Sequence, residues 1–290
     1  MNVGFVGLGT MGRPVASHLM RHGHTLGVYA RRPDALSTLL DAGATAYRSP
    51  ADLASHCDVV FTMVTATPDV EQVLFGSGGI ASGGRSGLLV IDMSTIAPVA
   101  TRDFAVRLAM GGIDMLDAPV SGGPEGARQG TLSVMVGGRP DVFERARPLF
   151  ECFGSTILHM GTHGAGEATK ACHQLLLLIT AEGVAEALTL ARRSGVDPAL
   201  AQRAMMSGIA SSRVLDRFGS RMAARQFVDG ISTKLYRKDL GVVLDFARAL
   251  GVALPAGDIT MRHLARLVER GQEDADLSAL ITVLEEGSEE

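Results

Sequence analysis

Short apolar runs rich in β-branched residues recur through the first half of the chain, separated by stretches with helical spacing. Runs at Val3–Val6, Thr25–Tyr29, Asp58–Val64, Leu88–Met93, Met115–Asp117 and Ser133–Val136 read as strands. Stretches at Gly12–Arg21, Pro33–Asp41, Ser49–His56, Pro68–Phe75 and Pro98–Met110 read as helices. This alternation predicts an α/β fold, a doubly wound parallel sheet with helices on both faces. After Gly161 the pattern changes. Gly164–Ser194 reads as one long helix interrupted only by Gly183, apolar nearly all round at Leu175–Ile179, and so expected to be buried between domains or subunits. Pro198–Ser207, Ser212–Ala223, Lys238–Leu250, Asp258–Glu269 and Ser278–Glu285 also read as helical. The expected organisation is an α/β domain over 1–161 and an all-helical domain over 162–290, ending in an acidic tail that reads as a frayed terminus.

Composition narrows the class. The 290 residues suit two cores better than one. A net charge of −4 gives no basic surface for nucleic acid or an acidic membrane. Cys57, Cys152 and Cys172 have no metal-ligand spacing, so no metal is expected, and their odd number suits a reducing cytoplasm better than a disulfide framework. The strongest apolar run, Leu175–Ala181, stops at Glu182, short of the roughly 20 residues of a membrane span. The chain starts directly on the first strand, which predicts no signal peptide.

The first strand runs into Gly7-Leu8-Gly9-Thr10-Met11-Gly12, a G-x-G-x-x-G between strand and helix. In that setting Gly7 allows the tight turn, Gly9 lets the backbone approach a pyrophosphate, and Gly12 lets the helix pack closely. The helix start then offers N–H groups and the positive end of its dipole to the phosphates. These residues are the candidate cofactor loop of a Rossmann-type domain. An NAD site usually carries an acid at the tip of the second strand, whereas this chain reads Ala30-Arg31-Arg32. Guanidinium groups fork onto phosphate, so the expected cofactor is NADP, with NAD as the weaker alternative. Met63-Val64 and Ser94-Thr95 end two further strands and should line the nicotinamide side.

Asp117-Ala118-Pro119-Val120-Ser121-Gly122-Gly123 follows another strand. Ser121, Gly122 and Gly123 expose backbone N–H groups and a hydroxyl suited to a substrate carboxylate. The segment continues through Gly126-Ala127 and Gly130-Thr131-Leu132 to Met135-Val136-Gly137-Gly138. Gly164-Ala165-Gly166 then precedes Lys170, and Lys238-Asp239-Leu240 comes late. Together with Gly-Phe-Val-Gly-Leu-Gly-Thr-Met-Gly at the start, this ordered set resembles the β-hydroxyacid dehydrogenases over essentially the whole chain. That group includes 3-hydroxyisobutyrate dehydrogenase and 2-hydroxy-3-oxopropionate reductase.

The resemblance implies Lys170 as the general acid and base. It also implies Ser121-Gly122-Gly123 as the substrate segment and Lys238 near substrate and cofactor. The apolar long helix predicts a homodimer or homotetramer. Physically, Lys170 lies in the first turns of the long helix, where a charge facing apolar surroundings is costly unless used. The implied reaction moves hydride between NADP and the carbonyl carbon of a small semialdehyde acid, with Lys170 handling the proton. The sequence departs from the family at His173, where relatives carry Asn, and at His18. His173 stands three residues after Lys170 on the same helix face and offers a donor and an acceptor, as an amide does. Lys170-x-x-His173 is also similar to 6-phosphogluconate dehydrogenase, but Leu177 stands where that enzyme has a glutamate. Two other readings compete: an imine reductase of the same architecture, against which Lys170 argues, and a non-catalytic relative that binds NADP.

Overall fold

The computed structural model describes residues 1–228 and 230–286; the end of the acidic tail, 287–290, lies outside the described residues. The chain divides into two compact units, Met1–Lys170 and Ala171–Glu290.

In the first unit β1 (Asn2–Val6), β2 (Thr25–Tyr29), β3 (Thr45–Ala46), β4 (Val59–Thr62), β5 (Leu89–Asp92) and β6 (Asp114–Asp117) form a parallel sheet in the order β3-β2-β1-β4-β5-β6. This is the order of the dinucleotide-binding doubly wound fold. β7 (Val120–Ser121) and β8 (Leu132–Gly137) add an antiparallel extension beyond β6, and β9 (Gly154–Gly161) pairs in parallel with β8. Ser133–Val136 is thus a strand as its apolar residues suggest, but antiparallel to β6 and β7: β7 continues the direction of β6 past Ala118-Pro119, and the chain reverses through helix Gly123–Gln129 before β8.

The strands are hydrophobic throughout because helices cover both faces. Phe5 and Phe61, at 0% exposure, stack with ring centroids 5.8 Å apart, and Phe153 meets Phe61 edge-on at 6.1 Å. Burying each ring contributes about 2–3 kcal/mol. Helix Gly12–Arg21 buries Val15, Ala16, His18 and Leu19 on one face. It ends at Gly23, whose φ of +85° is the left-handed turn that glycine takes without strain.

Several elements depart from the expected pattern. Pro33–Asp41 is a 3-10 turn, Pro33–Ala35, followed by helix Ser37–Asp41. Helices Gly123–Gln129 and Pro140–Phe150 and strand β9 have no counterpart in the sequence reading. Helix Thr233–Ala249 starts five residues before Lys238, so Lys238 lies in its second turn.

The second unit is helical. Helix Ala165–Arg193 is long and apolar enough, by length and composition, to cross a membrane. It packs Leu178, Ala181, Val184, Ala185 and Leu188 into one core with Leu240, Leu244, Leu264, Leu267 and Leu280. That core accounts for one stripe of the helix; Leu176 and Leu190 stand 65% and 69% exposed.

Candidate active site

The cofactor loop is built as the glycine spacing implies. Gly7 has φ +98°, and a Cβ there would lie 2.1 Å from the Met63 carbonyl oxygen. The Met63-Val64 backbone therefore packs directly against the turn. A Cβ on Gly12 would lie 2.0 Å from the Gly7 carbonyl oxygen. A Cβ on Gly9 would meet nothing within 4 Å, leaving the open side a pyrophosphate needs. Leu8 is buried beneath the loop, and Thr10 is exposed. Met11 precedes the helix and no side chain caps it, so the first-turn N–H groups are suited to receive an anion. The residues therefore fit a dinucleotide.

At the tip of β2, Ala30 is followed by the exposed Arg31 and Arg32. Arg31 approaches Asp69 at 3.7 Å with its side chain 81% exposed. An ion pair this exposed is worth little and leaves the guanidinium available.

Thr62, Asp92 and Asp117 end β4, β5 and β6 in register, side by side, each 0% exposed. Asp92 Oδ1 accepts from Thr62 Oγ1 (2.7 Å) and from Ser94 Oγ (2.6 Å). Ser94 Oγ in turn accepts from the Val64 N–H at 3.0 Å. Asp117 Oδ1 and Oδ2 accept from the N–H groups of Gly164 (2.8 Å) and Glu167 (3.0 Å). Asp117 thus seats the start of the long helix on the sheet edge. Glu167 Oε2 accepts from the Ile96 N–H at 3.2 Å. The edge therefore carries three buried carboxyl groups near the candidate catalytic lysine.

Burial pushes Asp92 up to about 6; hydrogen bonds from Ser94 and Thr62 oppose the rise, and the charge of Asp117 adds to it. Burial, with the charges of Asp92 and Asp117, holds Glu167 well above the usual carboxylate range. Folded Asp92 keeps a proton near pH 5 that the unfolded chain releases near its ordinary value of 3.8. Its contribution favours the fold at low pH and is lost as pH rises from about 4 through about 6. Asp92→Asn removes this titration. The variant should gain about 1–3 kcal/mol relative to the unsubstituted chain between about pH 4 and pH 7, measured by urea unfolding. A pH-independent difference would contradict the assignment.

Lys170 is 7% exposed, and its Nζ donates to the Val120 carbonyl oxygen at 2.9 Å. Val120 immediately precedes Ser121-Gly122-Gly123, so the structure brings Lys170 to the candidate carboxylate segment. Gly122 and Gly123 take φ of +132° and +64°, backbone positions that favour glycine, and turn β7 into helix Gly123–Gln129. His18 is nearly buried, and its Nε2–H donates to the Arg128 carbonyl oxygen at 3.0 Å, tying the dinucleotide helix to the helix after the Ser-Gly-Gly segment.

In the second unit, Lys238 Nζ donates to Asp239 Oδ1 at 2.7 Å, and Gln174 Nε2 donates to Asp239 Oδ2 at 2.6 Å. Gln174 Oε1 lies 3.0 Å from His173 Nδ1. Lys238 and His173 thus join through two residues the sequence reading did not single out as site residues. Lys234 is exposed and pairs with Asp274 at 2.6 Å. Asp92, Asp117 and Glu167 were not singled out either. For the two aspartates a signal exists, since an acid closing an otherwise buried strand needs partners. Gln174 and Asp239 are 65 residues apart, and no local pattern links them.

Residues 2–161 match the model of the NAD binding domain of 6-phosphogluconate dehydrogenase, and residues 164–284 that of the NAD-binding domain of NADP-dependent 3-hydroxyisobutyrate dehydrogenase. The chain is 42% identical to 2-hydroxy-3-oxopropionate reductase of Escherichia coli K12, over 98% of this chain and 97% of that protein. The structure of Mycobacterium tuberculosis 3-hydroxyisobutyrate dehydrogenase with L-serine superposes with a TM-score of 0.90 at 31% identity, covering 98% of both chains. An imine reductase from a Pseudomonas species shares the fold alone, with a TM-score of 0.65 at 19% identity over 98% of this chain and 99% of that one. An NAD(P)-binding sheet unit, a following helical unit and whole-length identity to hydroxyacid enzymes together place this chain in the β-hydroxyacid dehydrogenase family.

Proposed function

We propose that the chain interconverts a small semialdehyde acid and its hydroxyacid with NADP as redox partner and Lys170 as general acid and base. The observation that carries this reading is the buried Lys170 Nζ, 2.9 Å from the carbonyl oxygen that precedes Ser121-Gly122-Gly123. A bound nicotinamide supplies or takes up the hydride. The chain's own residues do the rest. Ser121, Gly122 and Gly123 hold the carboxylate with a hydroxyl and backbone N–H groups. Lys170 Nζ delivers a proton to the carbonyl oxygen during reduction and accepts it from the hydroxyl during oxidation. Val120 O orients Nζ. His173 and Lys238 contact the substrate, and Lys238 also the cofactor. Gly7, Leu8, Gly9, Thr10, Met11 and Gly12 hold the pyrophosphate, Met63, Val64 and Thr95 border the nicotinamide, and Ala30, Arg31 and Arg32 receive the adenosine end.

The absence of an acid at Ala30 and the exposure of Arg31 and Arg32 support NADP over NAD. The reductase at 42% identity supports the substrate class.

A panel of tartronate semialdehyde, succinic semialdehyde, methylmalonate semialdehyde and glyoxylate, followed by loss of NADPH absorbance, tests the reading. Turnover of at least one three- or four-carbon acid is expected. Turnover of a cyclic imine with none on any of these acids would establish the imine reductase instead. NADPH binding with no turnover of either class would establish a non-catalytic relative.

A further inference from the structure

We propose that Asp92 and Glu167 hold one proton between them at neutral pH, Glu167 Oε1 donating it to Asp92 Oδ2. The negative charge of the pair then stays at the end of β5 and off the helix turn that carries Lys170. The shared proton stands on the carboxyl cluster alone; its effect on Lys170 rests on the reaction assigned above.

Two buried oxygens carry the inference. Asp92 is 0% exposed and Glu167 1%. One oxygen of each carboxyl is satisfied. Asp92 Oδ1 accepts from Thr62 Oγ1, Ser94 Oγ and the Ser94 N–H at 2.7, 2.6 and 3.2 Å. Glu167 Oε2 accepts from the Ile96 N–H at 3.2 Å. The same short loop, Ser94 to Ile96, therefore holds both groups. The second oxygen of each, Asp92 Oδ2 and Glu167 Oε1, is enclosed and has no hydrogen-bond partner in the protein. Burying such an oxygen unpaired is costly. Two ionised carboxylates offer only lone pairs, so neither can relieve the other. Protonating one makes it a donor, and a single proton then serves both oxygens.

Glu167 is the member that keeps the proton. Three donors on Oδ1 favour the charged form of Asp92, against one on Glu167. Burial pushes Asp92 up to about 6, so it is ionised at pH 7. Burial, with the charge of Asp92 foremost among its neighbours and that of Asp117 next, holds Glu167 well above the usual range. Asp117 is itself engaged by the N–H groups of Gly164 and Glu167. Two basic groups face the cluster. His163, whose Nε2 lies 3.0 Å from the Met115 carbonyl oxygen, acts on Asp117, and Lys170 acts on Glu167.

Glu167 and Lys170 stand three residues apart on one helix face. An ionised Glu167 would favour the ammonium and raise the pH at which Lys170 yields its proton. Neutral Glu167 lets Lys170 yield it at lower pH. Asp92 and Glu167 are in this sense positioning residues for a proton on Lys170.

Infrared difference spectra of the full chain at pH 7, unsubstituted minus Glu167→Gln, test the proton without reference to activity. The expected result is a protonated-carboxyl C=O band that shifts in D2O. Its absence would overturn the proposal, because both groups would then be carboxylates served by water or a cation. In Asp92→Asn the amide Nδ2 replaces Oδ2 and can donate to Glu167 Oε1, so Glu167 should ionise and the band should vanish at pH 7. A band unchanged in Asp92→Asn would show that the proton is not shared.

The pH profile of kcat/KM for reduction supplies a readout that a merely structural pair would not move. Its alkaline limb, where Lys170 loses the proton it must deliver, should rise by about one pH unit in Asp92→Asn. In Glu167→Gln the amide reproduces the protonated carboxyl, so the limb should stay in place whatever the rate. A fixed limb in Asp92→Asn, or a limb that falls in Glu167→Gln as if a carboxylate had been removed, would overturn the role assigned towards Lys170. If the band behaves as expected but no acid is turned over, it is the proposed reaction that fails.

Discussion

Replacing Lys170 with methionine is expected to lower kcat/KM by about a thousandfold, the middle of the range for losing one general acid–base group, with NADPH affinity unchanged. Methionine keeps the length and burial of the side chain, so the apolar contacts around a residue at 7% exposure survive. What disappears is the Nζ that donates to Val120 O and, in the proposed reaction, to the substrate oxygen. Water is a poor substitute in a buried position, so the residual rate should be small. Fluorescence titration with NADPH separates chemistry from cofactor binding. In Lys170→Ala, where the side chain leaves room, small primary amines in solution should restore part of the rate, which a purely structural lysine would not allow. Near-normal turnover in Lys170→Met would remove the proton-transfer role.

The second large effect concerns the cofactor. Arg31→Ala combined with Arg32→Ala should raise KM for NADPH by about 10- to 100-fold, the loss of one or two charge-assisted hydrogen bonds, and leave KM for NADH little changed. Stability should hardly respond, because both side chains are exposed and the Arg31–Asp69 contact is long and solvated. Freeing Asp69 slightly favours the cofactor without a 2′-phosphate, since an unpaired carboxylate repels phosphate. The ratio of the two KM values is the measurement. Equal rises for both cofactors would assign the arginines to the part the two molecules share.

Local pattern carried much of this architecture. β1, the glycine loop and helix Gly12–Arg21 were legible because their requirements lie within about twenty consecutive residues. The other central strands were legible because strands covered on both faces are apolar along their whole length. β9 was not, because half-exposed residues such as Ser155, Thr156 and Leu158 give it no clean apolar run. Helix Pro140–Phe150 was hidden by Pro148 in its last turn, and Gly123–Gln129 by glycines and a proline at its start. In the site, Lys170 was found through a motif, and its partner is the backbone of Val120, which carries no side-chain signal. Thr62 with Asp92 and Gln174 with Asp239 are separated by 30 and 65 residues. Such pairs exist only once strand register or helix packing has brought them together.

The glycine loop holds three identical letters under two different constraints. Side chains at 7 and 12 collide with backbone oxygens, so the folded chain itself forbids them. A side chain at 9 would collide with nothing in the protein and would occupy only the space of the guest. Selection for folding alone would keep the first and last glycines and let the middle one drift. The middle glycine is therefore the part of the motif whose persistence reports on function.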